Sequence, residues 1–412
     1  MDLREKLKQY EQTLRPVAPV KQVSKPDLST WLDGAELTND LGTCFQVVRH
    51  FPMDFKHGAF HLSQIRDVDP SIFAQVGRDA HLANLNLKNI LFIDTETTGL
   101  AGGTGTVPFL IGLGYFKDDG LCVEQLFIRD YHEEKAMLHH LAEKLNRYSI
   151  LVSYNGKAYD MNLIHSRFLM HRMKVSTENH SHLDLLYPVR RIWRRRLQDC
   201  SLGNIEAKIL DFQRYGDIPG FLIPDIFFQY IRTGNGSELA GVFEHNKWDI
   251  VSLVVLAMLL GTIHQNPGSH LQDAEDLLSH GKSLSHGELF EPAVVSLMYV
   301  IEKKTDLHLE EEAHQLMAHC LKKTEQWQDA IQHWQYLVEK FPHQLNAYEE
   351  LAKHYEHREK NYDAAIAIVQ KALTRLDITS QLHPQAQNHQ SMADFVYRLK
   401  RLQRKQNHSI SS

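Results

Sequence analysis

Asp94 and Glu96 stand two residues apart at the end of an apolar stretch, NILFIDTE, so in a strand both carboxylates leave the same face. Two neighbouring anions on a buried strand repel each other and lose hydration unless a cation neutralises them. Their placement points to a metal site, and hard oxygen donors select Mg²⁺ or Mn²⁺. A strand end turned to solvent would carry the same D-x-E pair harmlessly, so the residues that follow must decide. Asn155 and Asp160 occur in SYNGKAYD, and His245 precedes Asp249 by four residues in HNKWD, a spacing that stacks both side chains on one helix face. An imidazole, with an ordinary pKa near ~6.5, can take a proton from an attacking water around neutral pH, which makes His245 the general-base candidate. Its alternative is an exposed helix histidine.

Substrate contact has its own candidates. RRIWRRR sets Arg190, Arg191, Arg194 and Arg195 around Trp193. Guanidinium groups pair with phosphate and an indole stacks on an unpaired base, so this helix is a candidate grip on a nucleic-acid backbone, against the alternative of a solvated basic face. The GGTGT run from Gly102 to Thr106 lacks the third glycine of a dinucleotide fingerprint and reads first as a tight turn. Close approach of its backbone to a nucleotide end is the second possibility. Asp184 in HLDLL is read as supporting structure.

The elements that must position these groups follow from periodicity. NILFIDTE, VPFLIGLGYF and CVEQLFIRD are apolar runs separated by turn residues, a three-strand meander. A helix over about Glu133 to Arg147, the strand ILVSYN and a helix over about Tyr159 to Met173 follow, giving a mixed α/β sheet flanked by helices. An apolar helix from about Leu239 to Leu260 closes that domain near Ile263. From Leu271 the chain is helical, and WQDAIQHWQYLVEKFP is echoed by YDAAIAIVQKAL, Ala330 and Ala365 marking the same position 35 residues apart. That offset is close to the ~34-residue period of tetratricopeptide helix pairs, whose stacked units form protein-docking surfaces. The expected domains are an N-terminal segment 1–84 of unreadable role interrupted by Pro16, Pro19 and Pro26, a catalytic domain 85–265, helical repeats 271–405 and a disordered tail 406–412. The basic stretch RLKRLQRK, Arg398 to Lys405, is either a nucleic-acid contact or a solvated end.

Composition excludes several classes. The 412 residues are 43% hydrophobic and 23% charged, as in globular proteins, and the net charge of −6 announces no nucleic-acid binder, so any such function rests on local patches. The first residues lack the pattern of a secretory signal, and the run Val251 to Leu260 is half the ~20 residues that span a bilayer. Four scattered cysteines form no CxxC pair, and the 26 histidines no HExxH, so zinc is not indicated. A cytoplasmic protein without a membrane partner is expected.

DTETTGL with GGTGT, then SYNGKAYD, then HNKWD form an ordered three-motif pattern that resembles the DEDD exonuclease superfamily over about residues 85 to 265. The resemblance implies a ribonuclease H-like fold. More narrowly, LFIDTETTGLAGGTGTVPFLIGLGYF, HLDLLYPVRRIWRRRL and CSLGNIEAKIL resemble the bacterial YprB group, also called mitomycin repair factor B, whose members append tetratricopeptide-like helices. Carried over motif by motif, this implies Asp94, Glu96, Asp160 and Asp249 as ligands of two Mg²⁺ or Mn²⁺ ions, with Asp94 bridging both. In the two-metal mechanism one ion activates water and the other stabilises the leaving 3′ oxygen. Thr95 and Asn155 join the arginines as candidate nucleic-acid contacts. HNKWD has three residues between His and Asp, the tyrosine-subclass spacing, where the histidine subclass has four, so the subclass stays open. The implied activity is a 3′→5′ exonuclease on DNA in a repair pathway, with a protein partner such as a helicase on the repeats. An RNA-processing enzyme of the same chemistry, or an inactive nucleic-acid-binding adaptor, are the alternatives.

Overall fold

A computed structural model of the chain describes residues 28–99, 105–175, 180–303, 306–382 and 389–410. The early prolines, the first polar helix pattern and Gly102 to Thr104 lie outside the described residues. The three apolar runs form β3 (Ile90–Thr97), β4 (Pro108–Lys117) and β5 (Gly120–Phe127), an antiparallel meander. Their near-continuous burial explains why they lack polar alternation. β6 (Ile150–Ser153) lies parallel to β3, and β7 (Ser181–Asp184) follows beside it.

Two more strands precede the meander, which corrects the expected domain start at residue 85. β1 (Gly34–Asn39) and β2 (Gly42–Pro52) form a hairpin, and β2 pairs antiparallel with β5 from Phe45 opposite Phe127 to Pro52 opposite Gly120. The seven-stranded order is β1-β2-β5-β4-β3-β6-β7. β2 mixes Gln46, Arg49 and His50 with apolar residues and is only partly covered, so its signal is weaker than that of a central strand.

The longer helices are α1 (Glu134–Arg147), α2 (Asp160–Met170), α3 (Leu186–Leu197), α4 (Ile223–Thr233) and α5 (Leu239–Gln265). There follow α6 (Ala274–His286), α7 (Phe290–Glu302), α8 (Leu307–Lys323), α9 (Trp327–Lys340), α10 (Leu345–His354), α11 (Tyr362–Leu382) and α12 (His389–Ile410). α5 is long and apolar enough to cross a membrane, but 83% of its most apolar stretch is buried in the protein, as in a core helix.

Packing divides the described chain into two compact units that interleave in sequence. One comprises the residues up to Ser63 with 86–183 and 210–255; the other comprises 64–85, 184–209 and the residues from Leu256 onward. The expected boundaries at 85, 265 and 271 followed chain order and missed this: the arginine-rich α3 belongs with the helices, and the division falls inside α5. In the second unit each helix from α6 to α12 packs on the next, with Ala330 and Ala365 completely buried. α12 runs to Ile410, so most of the expected disordered tail is helical. Three of its basic residues pair with carboxylates, Arg398 with Glu349 and both Arg401 and Lys405 with Glu356, while Lys400 and Arg404 are exposed.

Candidate metal and catalytic site

Asp94 and Glu96 leave β3 opposite Gly112 and Leu110 of β4. A Cβ on Gly112 would lie 2.3 Å from Asn246 Oδ1, so glycine there lets Asn246 of α5 reach the sheet. The Asn246 side chain, completely buried, donates from Nδ2 to Asp94 Oδ2 at 2.9 Å and accepts at Oδ1 from Gln125 Nε2, also at 2.9 Å. Gln125 is itself held by donating to the Phe243 carbonyl at 2.8 Å. One satisfied amide chain therefore fixes Asp94 from β5 through α5.

Asp160 opens α2, where the positive end of the helix dipole favours a carboxylate. It is buried at 6% exposure and accepts a hydrogen bond from the Thr95 hydroxyl. Thr95, a candidate nucleic-acid contact by sequence, thus holds an acid of the site. Asn155 turns the chain into α2 with a left-handed φ of 64° and is exposed. The adjacent Gly156 leaves room that a Cβ would take, 2.4 Å from Ser153 Oγ and 3.2 Å from Asp160 Oδ2.

His245 and Asp249 face the same side of α5, with His245 Nε2 3.5 Å from Asp249 Oδ2. Glu96, His245 and Asp249 bring potential ligand atoms within 4.8 Å of one another. Two residues that no sequence pattern marked complete the arrangement. Arg214 donates from Nη2 to Asp249 Oδ1 and from Nη1 to the His245 carbonyl at 3.2 Å. Asp217 Oδ1 lies 2.9 Å from His245 Nδ1. Both sit on the irregular segment DFQRYGDIP, which has neither strand nor helix period; its Gly216, at φ 71°, is a local turn signal.

Residues before 85 anchor this segment. The Ala59 amide donates to the Leu210 carbonyl at 2.9 Å, and a Cβ on Gly58 would strike that oxygen at 1.9 Å. His57 packs its ring 3.9 Å from that of Phe212 and lies 2.8 Å from Ser252 Oγ on α5. Burial drives the His57 pKa down to about 3, so it is neutral and structural.

The electrostatics identify the acids as one set. Asp94 and Glu96 are only partly covered, yet the surrounding protein removes enough water for desolvation to be the leading influence on both. It lifts Asp94 well above the carboxylate range, followed by the charges of Asp249, Glu96 and Asp160. Glu96 is pushed to about 8 by desolvation, then by Asp249 and Asp160, with Arg214 opposing. Four mutually repelling carboxylates with all-oxygen donors fit hard divalent cations. Asp94, Glu96, Asp160 and Asp249 would hold them, beside the His245 imidazole.

The arginine stretch does not form the expected stacking patch. Trp193 is 1% exposed and cannot stack on a base. On an amphipathic helix the indole takes the core face, and spacing alone does not say which face that is. Arg191 donates to the Val76 carbonyl, and burial followed by the charge of Arg78 lowers its pKa to about 10. Arg195 pairs with Glu312 at 2.8 Å, and the neighbouring Arg196 with Asp276 at 2.6 Å. Arg190 and Arg194 remain exposed. Asp184 accepts from the Leu186 amide at 3.1 Å at the start of α3, the supporting role read for it.

The match of a family model agrees with this geometry at the level of fold. Residues 91–260 match the RNase_H superfamily, and this region is a ribonuclease H-like domain. The chain is 27% identical over 329 residues to the uncharacterized protein YprB of Bacillus subtilis (strain 168), covering 79% of each chain. It is also similar to the family B DNA polymerase of the hyperthermophilic archaeon Pyrobaculum calidifontis, with 12% identity and a TM-score of 0.34 over 67% of this chain. The alignment spans a third (33%) of the polymerase's length.

Proposed function

We propose that the protein is a two-metal-ion 3′→5′ exonuclease that hydrolyses phosphodiester bonds of DNA in a repair pathway. The observation that carries the reading is the convergence of Asp94, Glu96, Asp160 and Asp249 into one set of carboxylates, in which desolvation and the neighbouring charges lift Asp94 and Glu96. The match to the RNase_H superfamily supports the reaction class, and DNA as substrate is what the motif resemblance to the YprB group implies. Two Mg²⁺ or Mn²⁺ ions supply, when bound, Lewis acidity toward the attacking water and the leaving oxygen. His245 takes the proton of that water. Asp217 at Nδ1 holds the ring so that Nε2 faces Asp249 and the acids. Arg214 reaches Asp249 and His245 together and so positions both.

The direct experiment is digestion of 5′- and 3′-end-labelled single- and double-stranded DNA and RNA with Mg²⁺, Mn²⁺ or EDTA. Mononucleotides are expected from the 3′ end of DNA with either cation and none with EDTA. Undiminished cleavage in EDTA, or shortening from the 5′ end, would defeat the proposal. A preference for RNA would reassign the substrate while keeping the chemistry.

His245→Ala is expected to lower kcat by roughly 10²-fold and to leave KM nearly unchanged, since the imidazole acts on the proton and not on substrate grip. Asp217→Asn should give a smaller loss in the same parameter. Steady-state kinetics decide: a fall in kcat matched by an equal rise in KM would discredit the general-base role.

A further inference from the structure

In the helical unit α8, α9, α10 and α12 line a cavity of about 320 Å³. Its wall carries five cations, Lys322, Lys353, Arg358, Arg398 and Arg401, against one carboxylate, Glu350. Most of these charges are shared internally. Lys322 and Lys353 both pair with Glu350, while Arg398 and Arg401 turn to Glu356, whose side chain is fully buried. Arg358 differs, because among the described residues no carboxylate lies within ion-pair reach of it. It is exposed, and its guanidinium carbon lies 3.6 Å from the centroid of the Trp327 ring. Stacking holds that guanidinium flat and leaves its edge for an anion. Two polar atoms of the same wall, Trp327 Nε1 and Nδ1 of the 6%-exposed His354, also lack a hydrogen-bond partner among the described residues. Buried polar atoms without partners are uncommon and need a physical reason.

We propose that this cavity docks an acidic peptide segment of a protein partner, with Arg358 on Trp327 as its central contact and Lys353 beside it. Charge complementarity selects an anionic occupant. The shape favours peptide over nucleic acid. The site is a single hollow at the small end of the ~300–1,000 Å³ range of ligand pockets, not a track. Glu350 in its wall, with Glu349 and Glu356 behind the cations, would repel the closely recurring phosphates of a nucleic-acid strand. Carboxylates on a peptide can enter one at a time. The inference stands apart from the proposed exonuclease reading.

The test is fluorescence anisotropy of fluorescein-labelled hexaglutamate with the full-length chain in EDTA at low salt, beside labelled hexaglutamine and a labelled twelve-nucleotide oligothymidylate. Hexaglutamate is expected to bind in the micromolar range, hexaglutamine at least tenfold more weakly. Arg358→Glu should weaken hexaglutamate at least tenfold with an unchanged Tm, whereas Lys371→Glu, an exposed cation on α11, should leave the affinity within twofold. Equal binding of both peptides overturns the proposal. So does equal loss in the two variants, which would mean only diffuse attraction. If the oligothymidylate displaces hexaglutamate and its own affinity falls tenfold in Arg358→Glu, the cavity is a nucleic-acid site and the peptide assignment is wrong.

Discussion

Asp94→Asn is expected to lower turnover on an end-labelled oligonucleotide by at least about 10³-fold, about 4 kcal/mol of barrier, while raising the melting temperature in EDTA. The two effects have opposite signs for one reason. In the folded chain the Asp94 carboxylate is desolvated and faces three further acids, Asp249, Glu96 and Asp160, so its charge costs stability whenever no cation compensates it. That same charge is what would hold a cation and orient the reacting groups. Asparagine keeps the volume and can still accept the Asn246 Nδ2 hydrogen bond that fixes residue 94. A gain of roughly 1–2 kcal/mol, a few degrees in Tm, is the expected size. Calorimetry beside single-turnover kinetics separates the possibilities. A variant that loses activity and also melts lower in EDTA would show that Asp94 supports the fold, and the metal argument would fail with it.

Desolvation of the acids, joined by their mutual repulsion, also sets a pH dependence, and its direction follows from linkage. Glu96 is held near 8 and Asp94 is likewise raised, whereas unfolded carboxyls ionise near ~4. The folded chain therefore keeps protons that the unfolded chain releases. Their contribution to stability is fully present below the unfolded carboxyl range and is lost as pH rises toward 8. In EDTA the wild-type Tm is expected to fall by roughly 5 °C more than that of Asp94→Asn between pH 5 and pH 8. Mn²⁺ competes with those protons, so it should raise the wild-type Tm much more at pH 8 than at pH 5. Differential scanning calorimetry at the two pH values checks this. Mn²⁺-induced shifts that are equal at both, or equal in wild type and variant, would mean that the carboxylates do not share a cation site.

Arg214 gives the site a further property. Its guanidinium bonds the Asp249 carboxylate and opposes the upward pressure on Glu96, so the chain carries a partial countercharge of its own. Because Arg214 and Asp217 arrive on one short segment, whatever fixes that segment fixes the general-base candidate. The fixing comes from Gly58 and Ala59 against Leu210, and from His57 against Phe212 and Ser252. A stretch whose purpose could not be read from its residues thereby fixes the geometry around His245 and Asp249, through packing and backbone contact more than through chemistry of its own.

What the amino-acid order determined by itself are the features that depend on neighbours a few residues apart. The period of two on β3 places Asp94 and Glu96 together, the spacing of four on α5 stacks His245 over Asp249, and unbroken apolar runs mark the buried central strands. Ala330 and Ala365, matched at an offset of 35, both lie on buried faces of packed helices. Tertiary structure alone decided the rest. Asn246 meets Asp94 across 152 positions, and Arg214 meets Asp249 across 35. No strand or helix period links either pair, and each pairing exists only because the fold brings separate segments to one place. Trp193 makes the same point in reverse: its neighbours suggested a surface for bases, but an indole beside arginines turns inward once a core is available to cover it.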